Sequence, residues 1–191
     1  MRKSDGWTGI RLEVSEYCRD HQISEKDFRF LGMNEWQNVY EKVLDTFVDG
    51  QYARRKGLHW ANVDGGFKEV PEYAFRLGTD GKSGYEWLEK LPEIVGCDRV
   101  YMLLEESGMQ AKYWIAECNP KVIEGIINDA LTRCDYFIVD KKFKWMITEN
   151  HHEVVQFIGS VFDGTTIDSI YNPQLARQIP PEASLAGLRL W

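Results

Sequence analysis

Residues 135–159 read DYFIVDKKFKWMITENHHEVVQFIG, and the fold turns on how this stretch is parsed. Two apolar runs, 136–139 and 143–148, flank the charged link Asp140-Lys141-Lys142, the pattern of a β-hairpin. A third apolar run, 154–158, stops at Gly159. Between the second and third runs stands Glu149-Asn150-His151-His152-Glu153, the densest group of potential ligands, acids and bases in the chain.

Working upstream, residues 99–104 form a nearly continuous apolar run, 105–108 read as a turn, and 111–118 form a second strand carrying Tyr113, Trp114 and Ile115. Asn119-Pro120 then supplies a helix N-cap followed by proline at the first helical position. Val122, Ile123, Ile126, Ile127, Ala130 and Leu131 repeat at i, i+3/i+4 spacing, which predicts an amphipathic helix over about 120–131. The order strand, strand, helix, strand, strand, strand predicts an α+β fold. Its sheet is expected to be antiparallel, or mixed, with about four to six strands, helices on one face and one central amphipathic helix packed on it.

The N-terminal part reads as helical. Ile10, Val14, Tyr17, Cys18 and His21 mark a helix over 8–21, and Ser24 with Asp27 is spaced to cap a short second one through Leu31. Asn34 and Gln37, at Ncap and N3 spacing, open a third with the stripe Trp36, Val39, Tyr40, Val43, Leu44 and Phe47, whose Trp36 and Phe47 are expected to pack on the sheet. Residues 51–82 carry no clear period beyond a turn at Asp64-Gly65-Gly66, and no glycine stands where a phosphate loop ending at Gly81-Lys82 needs its first one. Ser83 and Glu86 have capping-box spacing for a short helix that turns Tyr85, Trp87, Leu88 and Leu91 inward before Pro92. One domain over 1–191 is expected: helical to about 92, sheet-rich over 97–160, and an irregular tail over 161–191 broken by Pro173, Pro180 and Pro181.

A net charge of −7 divides into −3 for residues 1–95 and −4 for 96–191, so neither half offers the basic footprint that nucleic acid requires. The acidic balance suits a basic protein partner. Cys18, Cys97, Cys118 and Cys134 form no CxxC pair and follow no zinc-ribbon spacing. The start MRKSDGWTGI has no apolar signal region, and no run approaches a membrane span, so a cytoplasmic, reduced setting is expected.

The candidate functional cluster is Glu149, Asn150, His151 and His152, with Trp145 beside it. As a metal site it offers His151, His152, Glu149 and Glu153 for zinc or iron. In a strict strand Glu149, His151 and Glu153 share a face, whereas adjacent histidines point apart, so both imidazoles reach one ion only if the backbone turns. His59, Glu105, Glu106 or Glu117 could supply missing ligands from elsewhere. Against this stands a structural reading, in which Asn150 and a histidine satisfy backbone groups at a strand end. Cys118 and Cys134 abut apolar segments and read as inert core thiols.

At this same stretch the sequence resembles a family of small, uncharacterised bacterial proteins, mostly from Firmicutes, that share a YFIVxKKxxWxxxENHH motif. Here it is carried by Tyr136-Phe137-Ile138-Val139, Lys141-Lys142, Trp145 and Glu149-Asn150-His151-His152. The resemblance implies no established activity. In size, acidity and architecture the chain is similar to toxin-immunity proteins. The favoured expectation is therefore a non-catalytic, immunity-like interaction module with no cofactor. The alternative is a metal-binding protein or metal-dependent enzyme centred on the ENHH segment.

Overall fold

The structure is a computed structural model that describes residues 9–71, 73–76, 86–106, 112–131, 134–159 and 162. Strands β1 (Phe28–Phe30), β2 (Tyr73–Arg76), β3 (Val100–Glu106), β4 (Lys112–Cys118), β5 (Tyr136–Asp140), β6 (Met146–Glu149) and β7 (Val154–Ile158) build a seven-stranded antiparallel sheet in the order β1-β4-β3-β5-β6-β7-β2. The hairpin and third strand read from residues 135–159 are β5, β6 and β7, and the α+β class is borne out. β4 and β5 both pair antiparallel with β3, one on each side, and so run in the same direction. Only a crossover can connect them, and the helical segment after Pro120 is that crossover.

Helices α1 (Gly9–Asp20), α5 (Leu91–Val95) and α6 (Ile123–Gly125) pack on one face of the sheet, while α2 (Met33–Phe47), α3 (Gly50–Arg55) and α4 (Gly57–Asp64) cover the other. The sequence led us to expect helices on a single face, and the central strands explain the difference. Along β3, Val100, Met102 and Leu104 join the α1/α5/α6 core, and Leu103 between them joins the α2/α4 core. On β5, Tyr136 and Ile138 face one way, and Phe137 and Val139 the other. A strand that is apolar at consecutive positions must be covered on both sides. The stripe Val39, Val43 and Phe47 of α2 supplies the second cover.

Several local expectations need correction. Ser24 and Asp27 bond to each other at 2.6 Å, but they close a turn into edge strand β1 and open no helix, because β4 offers its free edge to Phe28–Phe30. Helix α2 is capped by Gly32, whose N–H is held by Glu35 at 3.0 Å, and not by the Asn34/Gln37 pair. Trp36 remains 39 % exposed, off the sheet, whereas Phe47 is buried. Pro92 lies in the first turn of α5, where its missing N–H costs no bond, and Trp87, Leu88 and Leu91 are buried as expected. Glu105 and Glu106 belong to β3 and not to a turn. The crossover starts as a 3-10 turn (Pro120–Val122), makes one α turn and widens into a π turn (Ile126–Ala130), still burying Ile123, Ile126 and Ile127. The Ser83 cap and the tail beyond residue 162 lie outside the described residues. No helix among those described is long and apolar enough to cross a membrane.

Gly159 ends β7 at φ 108°, and a Cβ there would meet the Lys144 carbonyl oxygen at 2.6 Å. Gly159→Ala therefore combines strain with a backbone clash and is expected to cost about 2 kcal/mol or more. At Gly50, in the first turn of α3, nothing lies within 4 Å of the added Cβ. Gly50→Ala is expected to be neutral or stabilising by about 0.5 kcal/mol. Urea denaturation of the two variants beside the parent tests both, and equal midpoints for the pair would contradict the argument.

Candidate functional site

Register places the polar groups. Leu104 of β3 pairs with Tyr136 of β5, so Glu105 and Asp135 come abreast one step further on, joined by the Glu105 N–H to the Asp135 carbonyl at 3.0 Å. By strand alternation both side chains point to the α2/α4 face, as Leu103 and Phe137 do. Tyr136 also pairs with Glu149 of β6, so the chain leaving β6 passes beside Asp135. The His151 N–H donates to Asp135 Oδ1 at 2.7 Å, and its ring Nδ1 lies 3.1 and 3.3 Å from the two carboxylate oxygens. Helix α4 crosses above and brings His59, whose Nδ1 is 2.8 Å from Glu105 Oε1 and 3.7 Å from Asp135 Oδ2.

The result is two buried carboxylates side by side, Glu105 at 9 % and Asp135 at 6 % exposure, each facing an imidazole. The His59 and His151 rings lie nearly parallel, 6.0 Å apart. Donor atoms of His59, Glu105 and Asp135 all fall within 4.8 Å of one another. Tyr113 donates its hydroxyl to Glu105 Oε2 at 3.1 Å and stacks on Tyr40. Burial raises the Glu105 carboxyl above the usual range; His59 opposes this and Asp135 adds to it. Tyr113 is likewise pushed up, by burial first and then by Glu105, and so stays a donor. Under the same helix, Asn62 Nδ2 and Thr148 Oγ1 are fully buried and have no hydrogen-bond partner.

The ENHH segment is divided among these surroundings. Asn150 builds the β6–β7 turn: its side-chain oxygen accepts from the His152 and Val154 N–H groups at 3.0 and 3.2 Å, and its amide reaches the Asn62 carbonyl at 3.4 Å. The backbone turns here, as a shared histidine site would require, and His151 lies against the Asp135 carboxylate. His152 is exposed with its ring 4.1 Å from that of His151, and Glu153 is exposed at φ 60°. Glu149 points to the opposite face of the sheet, where Trp87 Nε1 donates to it at 3.3 Å and Tyr136 donates its hydroxyl. Trp145 packs in that same core against Phe162.

Of the ligands that the sequence allowed from elsewhere, His59 and Glu105 are at the site. Glu106 lies on the far face, accepting from Trp114, and Glu117 is paired with Arg29 and Lys141. Asp135 is the residue sequence reasoning missed. Its one signal was an acid immediately before a strand buried on both faces, and its significance needs the register with Glu105. The thiols of Cys118 and Cys134 are pushed up by burial, as inert core cysteines should be.

Residues 6–166 match the sequence profile of DUF6756, a family of unknown function. The chain belongs to that family. No curated protein and no solved structure matches it. The whole sheet and the residues His59, Glu105, Asp135 and His151 lie within the stretch that matches DUF6756.

Glu149 gives this DUF6756 member a pH signature. Burial pushes its carboxyl up to about 7, from an ordinary value of 4.5, against the lowering effect of the Tyr136 and Trp87 bonds. Between those limits the folded chain holds a proton that the unfolded chain has released. Stability from this group is thus intact below pH 4.5 and is lost as pH rises to about 7. The loss is on the order of 3 kcal/mol. Glu149→Gln should remove that slope from urea midpoints measured at acidic and mildly alkaline pH. An equal slope in parent and variant would refute the assignment.

Proposed function

We propose that the protein binds a divalent first-row metal ion through His59, Glu105 and Asp135, with His151 and Tyr113 orienting the two carboxylates. The observation that carries this reading is the convergence of the three donor sets within 4.8 Å on carboxylates that are almost fully buried. Two neighbouring carboxylates in a desolvated place repel each other and lose hydration, and a dication offsets both costs. One imidazole with two carboxylates is a hard-to-borderline set, suited to manganese, iron or zinc more than to thiophilic ions. Three protein ligands leave coordination positions open for water or substrate oxygen, which is the arrangement of a reactive centre. The Tyr113 hydroxyl on Glu105 and the His151 N–H on Asp135 are the outer supports that such ligands need. The reading keeps the metal alternative of the sequence but moves its ligands from His151, His152, Glu149 and Glu153 to His59, Glu105 and Asp135, with His151 in a supporting place.

A second reading, the immunity-like module for a basic protein partner, keeps one supporting observation. Met33, Trp36 and Trp60 are exposed on a chain of net charge −7.

Elemental analysis of the untagged protein is expected to find manganese, iron or zinc near one equivalent. Stripped protein should gain about 2.7 kcal/mol of stability at a hundredfold excess of metal over Kd. His59→Ala and Asp135→Asn should each weaken metal binding by about tenfold or more while circular dichroism stays native, and His152→Ala should leave it unchanged. If no metal binds and the variants alter only stability, the cluster is a structural histidine–carboxylate network and the interaction reading takes its place.

A further inference from the structure

On the edge of the sheet away from β7, between α1, β1, β4 and the start of α2, lies a cavity of about 550 Å³. That size is within the range of small-molecule sites. Phe30, Leu31, Trp36, Trp114 and Ile115 supply its apolar walls. The Trp114 indole N–H is already given to Glu106 Oε2 at 2.8 Å, so Trp114 contributes to the lining with its donor engaged. Met33 at 87 % and Trp36 at 39 % exposure form an apolar rim that nothing among the described residues covers.

One group on this wall is unlike the rest. The Arg11 guanidinium stands 5.3 Å from the Phe30 ring centroid and 5.1 Å from that of Trp114, and makes no hydrogen bond or ion pair to any described residue. Other cations near the sheet are engaged: Arg29 is held by Glu35 and Glu117, and Lys141 by Glu117. Glu106, the acid in the same lining, already accepts from Trp114 and from the Ile10 N–H at 3.3 Å. Lys112, its cross-strand neighbour, also lines the cavity. On a chain of net charge −7 the Arg11 guanidinium thus stands at the mouth of an apolar chamber. A guanidinium held over two aromatic rings by cation–π contact keeps its N–H donors for a carboxylate.

We propose that this cavity binds a small monocarboxylate with an apolar tail, the carboxylate on Arg11 and the tail against Phe30, Trp114 and Trp36. The assignment does not rest on the metal reading. The two sites share only Tyr113, whose ring lines the cavity while its hydroxyl holds Glu105.

Calorimetric titration with decanoate, and with decanol as the uncharged control, tests the assignment on the full chain. Decanoate is expected to bind saturably at one site. Arg11→Gln, an exposed change, should weaken decanoate by about tenfold and leave decanol binding and metal content unaltered. Trp36→Ala should weaken both ligands several-fold. Arg11→Lys, which keeps the charge and loses the fork, should fall between parent and Arg11→Gln. The proposal is overturned if decanoate fails to saturate up to its solubility, or if Arg11→Gln binds it as the parent does. It is equally overturned if sedimentation reveals a dimer that Trp36→Ala dissolves, since the rim then faces a second copy of the chain.

Discussion

The pairing of β3 with β5 is the constraint on which the rest depends. It joins the first hairpin to the β5–β6–β7 meander, forces the crossover between β4 and β5, and sets Leu104 against Tyr136. A slip of β5 by one residue would turn Phe137 and Val139 toward α1 and α6 and Tyr136 and Ile138 toward α2 and α4, while β3 stayed as it is. The same register decides chemistry, since it brings Glu105 and Asp135 abreast at the point where the apolar run ends.

The chain buries carboxylates on the two faces of one sheet and treats them differently. On the α1/α5/α6 face, Glu149 stands among Trp87 and Tyr136 and retains its proton toward neutrality. On the α2/α4 face, Glu105 and Asp135 are matched by imidazoles from α4 and from the β6–β7 turn. A lone buried acid can be neutralised by a proton. Two neighbouring acids disfavour each other's ionisation, and on this face the imidazoles of His59 and His151 lie against them. The sheet thereby separates a buried acid held by neutral donors from a pair of acids held against imidazoles.

Much of the frame was legible because its signals are local. The apolar runs of β3, β5 and β7 are strand-length and bounded by turn residues, and Asn119-Pro120 marks the crossover start, with Asn119 accepting the Lys121 N–H as a cap should. What failed had weaker local signals. Strand β1 is three residues long, too short to show a period, and exists because β4 has an edge to fill. Helices α3 and α4 are six and eight residues and lie in the stretch without clear pattern, yet α4 carries His59. Glu149 and His151 looked like partners by spacing, but β6 ends between them, and the chain sends one to each side of the sheet.

By itself the sequence determined the α+β class, the β5–β6–β7 meander and a helical segment after Asn119-Pro120, because alternation and capping act over a few residues; that this segment is a crossover came only from the strand order. The tertiary structure alone decided that both faces are covered, that Asp135 meets Glu105, and that His59 completes the cluster. Those contacts join residues 30 to 76 positions apart, and only strand register and helix placement, set by the burial of the whole core, bring them together.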